Sequence, residues 1–237
     1  MMNRSIISVV CVALVAGGIF LGGCAPADPA LKGHWSFDEG SGPMSANAVG
    51  PTVAQVPAAL KWVNGKTGKA VSFNGKDFVV VKHIEEFNSP QYTVAAWTKF
   101  KKTGDYHYIV WKAGPEFPEA ANARRFDLWV QMDGTVSGIV HDRKSPDELL
   151  QVQGKIDITD GKWHHTALTY DAKIVTLYVD GKKEASLTPS GPLANNKHDL
   201  WIGGRPEGVV ATGAIDDVRF YTRALDAKEV AALAGAK

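Results

Sequence analysis

The sequence predicts an all-β sandwich with one short C-terminal helix, and three observations carry that prediction. From Leu31 onward the apolar residues recur with a period of two, the spacing of strands that turn one face inward. The runs are punctuated by Asn74-Gly75, Asp133-Gly134, Asp160-Gly161 and Asp180-Gly181, dipeptides that supply positive φ at hairpin corners. Helix chemistry is confined to the end of the chain. In order, strands are expected over Trp35–Phe37, Ala70–Phe73, Phe78–Val81, Tyr92–Phe100, Tyr106–Lys112, Phe126–Met132, Val136–His141, Trp163–Tyr170, Ile174–Val179, Leu200–Ile202 and Ala214–Tyr221. Phe78–Val81 follows one turn dipeptide, and Phe126–Met132 and Ile174–Val179 each run into another, so all three are bounded by turn chemistry. In Ile174–Val179 nearly every position is apolar or β-branched, as expected where both faces are covered. Residues Glu116 to Asn122, bracketed by Pro115 and Pro118, read as a loop. At the end Asp226 can cap a helix, and Glu229 three residues on completes a capping-box pair. Leu225, Val230 and Leu233 give that helix an apolar side, and Gly235 ends it. Many short strands between regular turns make a sandwich, and without a repeat or a change in composition residues 31–237 form one domain.

The 237 residues include 45% hydrophobic and 22% charged side chains, with a formal net charge of +1. A domain of ~200 residues buries roughly 70% of the surface its unfolded chain exposes, so no disulfide staple is needed. Cys11 and Cys24 both belong to the N-terminal segment, which leaves no thiol in the body to pair. Removing residues 1–23 takes away only Arg4 and leaves 25 basic against 25 acidic side chains. That balance argues against nucleic acid as a partner, which requires a surplus of Lys and Arg facing phosphate.

Residues 1–23 have the layout of an export signal: Arg4 as the positive end, an uncharged stretch from Ile6 to Leu21, then Gly22 and Gly23 before Cys24. The stretch falls short of the ~20 apolar residues of a membrane span. Leu21-Gly22-Gly23-Cys24 resembles the bacterial lipobox, which implies cleavage before Cys24 and lipidation of its thiol and of the new amino terminus. Several acyl chains anchor far more firmly than one, whose hold is marginal. Residues 24–30 would then form a Pro/Ala tether reaching at most ~25 Å, and Ala25 is similar to the residue that routes Gram-negative lipoproteins to the outer membrane.

Seven segments, in order, carry a wider resemblance: His34-Trp-Ser-Phe-Asp-Glu-Gly-Ser-Gly42, Gly68-Lys-Ala-Val-Ser-Phe-Asn-Gly75, Tyr92-Thr-Val-Ala-Ala-Trp97, Asp160-Gly-Lys-Trp-His-His165 with Thr169-Tyr-Asp171, Leu177-Tyr-Val-Asp-Gly181, Trp201-Ile-Gly-Gly204, and Gly213-Ala-Ile-Asp-Asp-Val-Arg-Phe-Tyr221 leading into Arg223-Ala-Leu225. Together they resemble the laminin-G-like domains of the concanavalin A-like lectin/glucanase superfamily. The resemblance implies a two-sheet antiparallel jelly-roll sandwich, with the first and last strands adjacent in one sheet. It also implies binding of glycans or proteins, often beside a calcium ion. Fold alone does not settle function, because lectins, adhesion modules, glycanases and lyases share it.

The residues speak against an enzyme. Glycoside hydrolysis needs two carboxylates held ~5–9 Å apart, and residues two apart on a strand face the same way. The superfamily's glucanases carry Glu-x-Asp-x-x-Glu on one strand, but none of the 25 Asp and Glu here has another two positions away. No lyase motif is visible either. Tyr106 and Tyr108 share a strand side with His107 on the other, which reads as aromatic packing; His164 and His165 likewise point apart, with His165 an internal hydrogen-bonding residue.

Calcium is the cofactor that the resemblance implies, as a structural ion held by Asp38 and Asp216, with Asp217 as fallback and Asn47 where many relatives carry Asp. In Asp216, Val218 and Phe220 parity would aim Asp216 inward with the core residues, and a buried carboxylate demands a partner. The alternative is that Asp38 and Asp216 accept backbone N–H bonds at loop ends. For sugar, a flat aromatic beside short polar groups is the expected arrangement. Trp35, Trp97 and Trp163 sit in framework motifs and Trp62 packs near Gly65, so Trp111, Trp129 and Trp201 are the platform candidates. On Phe126–Gln131 alternation sends Asp127, Trp129 and Gln131 to one face, with Arg124 and Arg125 adjoining. The expected function is therefore non-catalytic binding of a glycan by an exported, membrane-anchored module of the cell envelope, against the alternative of a protein-binding or structural adhesion module and, less favoured, a glycoside hydrolase or polysaccharide lyase.

Overall fold

The structure, a computed structural model, describes residues 28–113, 125–143, 149–206 and 208–235. The export signal, Cys24 and all but the last residues of the tether lie outside these, as do Arg124 and the loop at 116–122. Strands in chain order are β1 (Leu31–Trp35), β2 (Met44–Ala46), β3 (Val53–Gln55), β4 (Lys61–Asn64), β5 (Lys69–Asn74), β6 (Val79–Val81), β7 (Tyr92–Phe100), β8 (His107–Lys112), β9 (Phe126–Val130), β10 (Thr135–Val140), β11 (Leu150–Asp157), β12 (His164–Tyr170), β13 (Val175–Val179), β14 (Lys182–Leu187), β15 (Leu200–Ile202) and β16 (Thr212–Tyr221). A 3-10 turn covers Glu85–Asn88, and the helix α1 covers Ala227–Gly235.

These strands form two antiparallel sheets. The first runs β14-β13-β12-β7-β16-β5-β4, with β1 also on β16; the second runs β11-β10-β9-β8-β15-β6-β3-β2. The expected pairing of first and last strands is present, with His34 opposite Arg219 and Trp35 opposite Val218. Between the sheets lies one apolar core, in which Phe220 packs against Phe87, Tyr92 and Phe126 with ring centroids 5.0, 6.4 and 5.9 Å away.

Turn chemistry explains the corners. At Asp180-Gly181 both residues have positive φ, 49° and 75°, as a two-residue hairpin between β13 and β14 requires. The helix start is the expected capping box: Asp226 Oδ1 accepts the N–H of Glu229, and Glu229 Oε2 accepts the N–H of Asp226, both at 2.9 Å. Leu225 and Val230 seat α1 on Ala95, Ala167, Tyr178 and Tyr221 of the first sheet's outer face.

Three features depart from the sequence reading. The first strand lies at Leu31–Trp35, earlier than expected, because Phe37 turns the chain away with φ 54°. Strands β2, β3, β4, β11 and β14 have no counterpart among the expected ones. They are three-residue segments or expose polar side chains along an edge, and Lys182, Lys183 and Glu184 give β14 the charge typical of a protected edge strand. Third, β16 carries a bulge between Asp216 and Arg219, with φ 50° at Asp217. The extra residue reverses parity, so Ile215, Val218 and Phe220 face the core and Asp216 does not.

Phe220→Ala should empty the point where four aromatic rings meet and lower stability by about 3–5 kcal/mol, read as a lower urea midpoint at unchanged slope.

Candidate functional site

The outer face of the second sheet gathers the aromatic candidates. Phe126, Leu128 and Val130 enter the core, so Asp127, Trp129 and Gln131 face outward as alternation predicts. On the neighbouring strand Tyr108 pairs with Trp129, Val110 with Leu128 and Trp111 with Asp127. Ile109 is therefore an additional residue, and this bulge puts Tyr108 and Trp111, three positions apart, on the same outer face. Trp129 is half-buried; its ring stacks on Tyr106 and Tyr108 with centroids 4.9 and 5.2 Å away and planes 22° and 26° apart. His107 points the other way and stacks on Phe100. The pairing of Tyr106 with Tyr108 thus holds as expected, but both belong to the outward surface.

Beside the rings lies a row of amides and hydroxyls. Gln131 Nε2 and Gln151 Nε2 donate to Ser137 Oγ at 2.9 and 3.1 Å, and Gln153 Nε2 donates to Thr135 Oγ1 at 2.8 Å. Gln151 and Gln153 are exposed. Nothing in the sequence reading pointed to them, because they lie on β11, whose strand pattern is broken by outward polar residues. Ser137 becomes visible only through the register that sets it opposite both Trp129 and Gln153.

The other platform candidates are placed differently. Trp111 is 1% exposed and Trp201 8%; they are cross-strand neighbours, and the Arg205 guanidinium lies 5.2 Å over the Trp111 ring. Asp127 is fully buried, so in this arrangement it offers no carboxylate to solvent. Trp111 and Trp201 cluster with Tyr108, and the half-buried Trp129 packs against that cluster. Arg125 is not on this face: it inserts between the sheets, 5.3 Å over Tyr92.

Asp38, Asp216 and Asp217 do come together, with His34 and Arg219, around a cavity of about 160 Å³ on the first sheet's outer face. Calcium requires six to eight oxygen ligands, and the neighbours here are donors. Asp216 Oδ2 accepts the N–H of Lys66 at 2.8 Å, and Asp38 Oδ1 that of Lys69 at 2.9 Å. Asp217 Oδ1 sits 2.6 Å from His34 Nε2 and 3.0 Å from Arg219 Nε. Asn47 stands apart from the cavity: its Oδ1 accepts the N–H of His34 and its Nδ2 donates to Lys32 O and Thr52 Oγ1. No group of three His, Cys, Asp or Glu side chains suited to a metal occurs among the described residues. As arranged these residues do not fit calcium; Asp38 and Asp216 hold the turn between β4 and β5 through its backbone. Gly68 in that turn has φ 56°, and a Cβ there would lie 1.9 Å from Asp38 Oδ1.

Burial pushes Asp216 up to about 7 against the pull of the Thr67 and Lys66 N–H groups. Although burial works against its charge too, Asp217 is held below the ordinary carboxylate range by His34 and Arg219. His165, edge-on to Trp97 at 5.3 Å, is pushed down to about 4 by burial. Its neighbour His164 points away and contacts Asp180 and Asp160 at 2.8 and 3.1 Å.

Residues 73–231 match a laminin-G family model described as the concanavalin A-like lectin/glucanases superfamily. None of the curated proteins matches the chain. Among solved structures, the binding domain of Paraclostridial Mosquitocidal Protein 1 superposes with a TM-score of 0.69 at 16% identity, over 86% of this chain and 52% of that one. Domain 4 of a GH43 extracellular arabinanase from Geobacillus stearothermophilus, solved with arabinotriose, gives 0.65 at 22% identity, over 86% of this chain and 98% of that one. The binding domain of Botulinum Neurotoxin DC, solved in complex with SialylT, gives 0.67 at 11%, over 87% and 51%. The chain thus spans about half the length of the toxin domains it matches and nearly all of the arabinanase domain.

The two displaced ionisations oppose each other. Between pH ~4 and 6.5 the unfolded chain protonates His165 while the folded chain does not, so this group adds stability as pH rises. Over ~4 to 7 the folded chain holds a proton on Asp216 that the unfolded chain releases, so this group removes stability as pH rises. Relative to the parent, the slope of unfolding free energy against pH should become more negative in His165→Phe and more positive in Asp216→Asn, by up to about 1.4 kcal/mol per pH unit. Urea titrations at several pH values between 4 and 7 read both signs.

Proposed function

Because the chain belongs to the concanavalin A-like lectin/glucanase superfamily, we propose that it is a non-catalytic module that binds carbohydrate on the outer face of its second sheet. The observation that carries this reading is the half-buried Trp129, stacked with Tyr106 and Tyr108 beside the amides of Gln131, Gln151 and Gln153. A pyranose offers an apolar face to such rings and hydroxyls to such amides. Trp111 and Trp201 support the platform from below, which keeps the partly exposed Trp129 and Tyr106 rings in place before ligand arrives. The arabinotriose bound by the arabinanase domain supports saccharide as the ligand class, as does the SialylT on the neurotoxin domain.

Two arguments support a role without bond cleavage. The acidic trio surrounds a cavity of about 160 Å³, below the ~300 Å³ of ordinary ligand pockets, and its carboxylates are engaged by backbone N–H groups, His34 and Arg219. No two acidic residues lie two positions apart, as the Glu-x-Asp of glucanases of this fold requires. The reading extends to lipidation of Cys24 and display from a bacterial membrane, supported by the sequence of residues 1–24.

On a glycan array the protein should retain at least one oligosaccharide, and Trp129→Ala should weaken that binding roughly tenfold or more while circular dichroism shows the sheet fold retained. A chelator should leave it unaltered. Failure to bind any saccharide, beside specific capture of one envelope protein, would transfer the face to protein binding or adhesion; turnover of a polysaccharide would make it an enzyme.

A further inference from the structure

A second cavity, of about 410 Å³, opens at one end of the sandwich, away from the aromatic face. Arg125, Arg143, Tyr170, Asn195, Pro90 and Pro192 are among its lining residues. Its volume lies within the ~300–1,000 Å³ of ligand pockets. Arg125 is the unusual member. It is 1% exposed, yet it makes no ion pair with a carboxylate among the described residues. Its Nη1 donates to Ala194 O at 3.3 Å, its Nη2 donates to Ser89 O, and its buried Nε has no acceptor among the described residues. Arg143 at the rim is exposed; its backbone N–H bonds Pro192 O, and its guanidinium pairs with no carboxylate among the described residues.

The nearby acids do not answer this charge. Asp142 receives the N–H and hydroxyl of Ser190, both at 2.8 Å, and Asp171 caps the turn at Lys173 and Ile174. Glu85, on the adjoining 3-10 turn, lies by His83 and Asn88. Burial, and to a lesser degree Arg143, depress the Arg125 guanidinium below its usual range, the direction an incoming anion would reverse. A buried cation left without an anion is costly, and a planar guanidinium with an open donor is suited to a carboxylate.

We propose that this end cavity is a second binding site, which takes the carboxylate of an acidic saccharide, with Arg125 as the buried anchor and Arg143 as the clamp at the entrance. That the anion is carried by a sugar rests on the carbohydrate reading above; the anion site itself stands on the two arginines. Tyr170 and Asn195 flank the space where the sugar ring would sit.

The test is calorimetric titration of the full chain with glucuronate, glucose and sodium sulfate, in the parent protein and in Arg143→Ala, Arg125→Lys and Trp129→Ala. Glucuronate should bind saturably and more tightly than sulfate, and glucose should not compete with it. Because Arg143 is exposed, Arg143→Ala should keep its thermal stability and lose about tenfold or more in glucuronate affinity. Arg125→Lys should lose affinity as well, and Trp129→Ala should retain it. Glucuronate that does not bind, or binds equally to Arg143→Ala, overturns the site. Sulfate binding as tightly as glucuronate overturns the saccharide assignment. Glucuronate lost in Trp129→Ala but kept in Arg143→Ala moves the acidic sugar to the aromatic face and leaves the proposed function intact. Retention of glucuronate with no neutral glycan bound anywhere has the opposite meaning: the cavity stands and the aromatic-face reading falls.

Discussion

The last strand must serve three neighbours at once. Along one edge β16 pairs with β7; along the other its first half pairs with β5 and its second half with β1. A regular ten-residue strand would give those partners one continuous pleat, and the bulge at Asp216–Asp217 instead divides β16 into two registers. The cost is a non-glycine residue at φ 50° and a buried carboxylate. Both are stabilised locally: Asp216 by the turn after β4, Asp217 by His34 from β1 and by Arg219 two residues on. The acids that look like ligands are in this arrangement the means by which the central strand changes partner.

A second bulge, in β8, does for the outer surface what the first does for the core. Regular alternation would send Tyr108 and Trp111 to opposite faces. With Ile109 inserted, both lie outward, so Trp111 supports the layer in which Tyr108 and Trp129 stack. The result is a broad aromatic surface on a rigid sheet, and such rigidity lowers the ordering cost of binding.

What could be read from the sequence follows from how local each determinant is. Tyr92–Phe100 and Leu200–Ile202 match their strands at both ends because they are apolar and sharply bounded. The capping box at Asp226 and Glu229 needs only residues three apart. Pairing of β1 with β16 came from resemblance alone, since no local pattern joins residues so distant. Parity failed at Asp216 because a bulge is a property of two strands together, and nothing in Ile-Asp-Asp-Val announces it. Trp129 was legible from alternation on a single strand. The burial of Trp111 and Trp201 was not, because it depends on their pairing across β8 and β15 and on Arg205 over the Trp111 ring.

Arg223 joins the two ends of the domain. Its Nη2 lies 2.5 Å from Asp28 Oδ2, just before β1, and 2.6 Å from Glu229 Oε1 on α1. Any pull exerted on the leading residues therefore meets this three-way latch before it reaches the hydrogen bonds that zip β1 to its neighbour. Tension is thereby shared with the helix seated on the outer face of that same sheet, against which Leu31 of the first strand also packs.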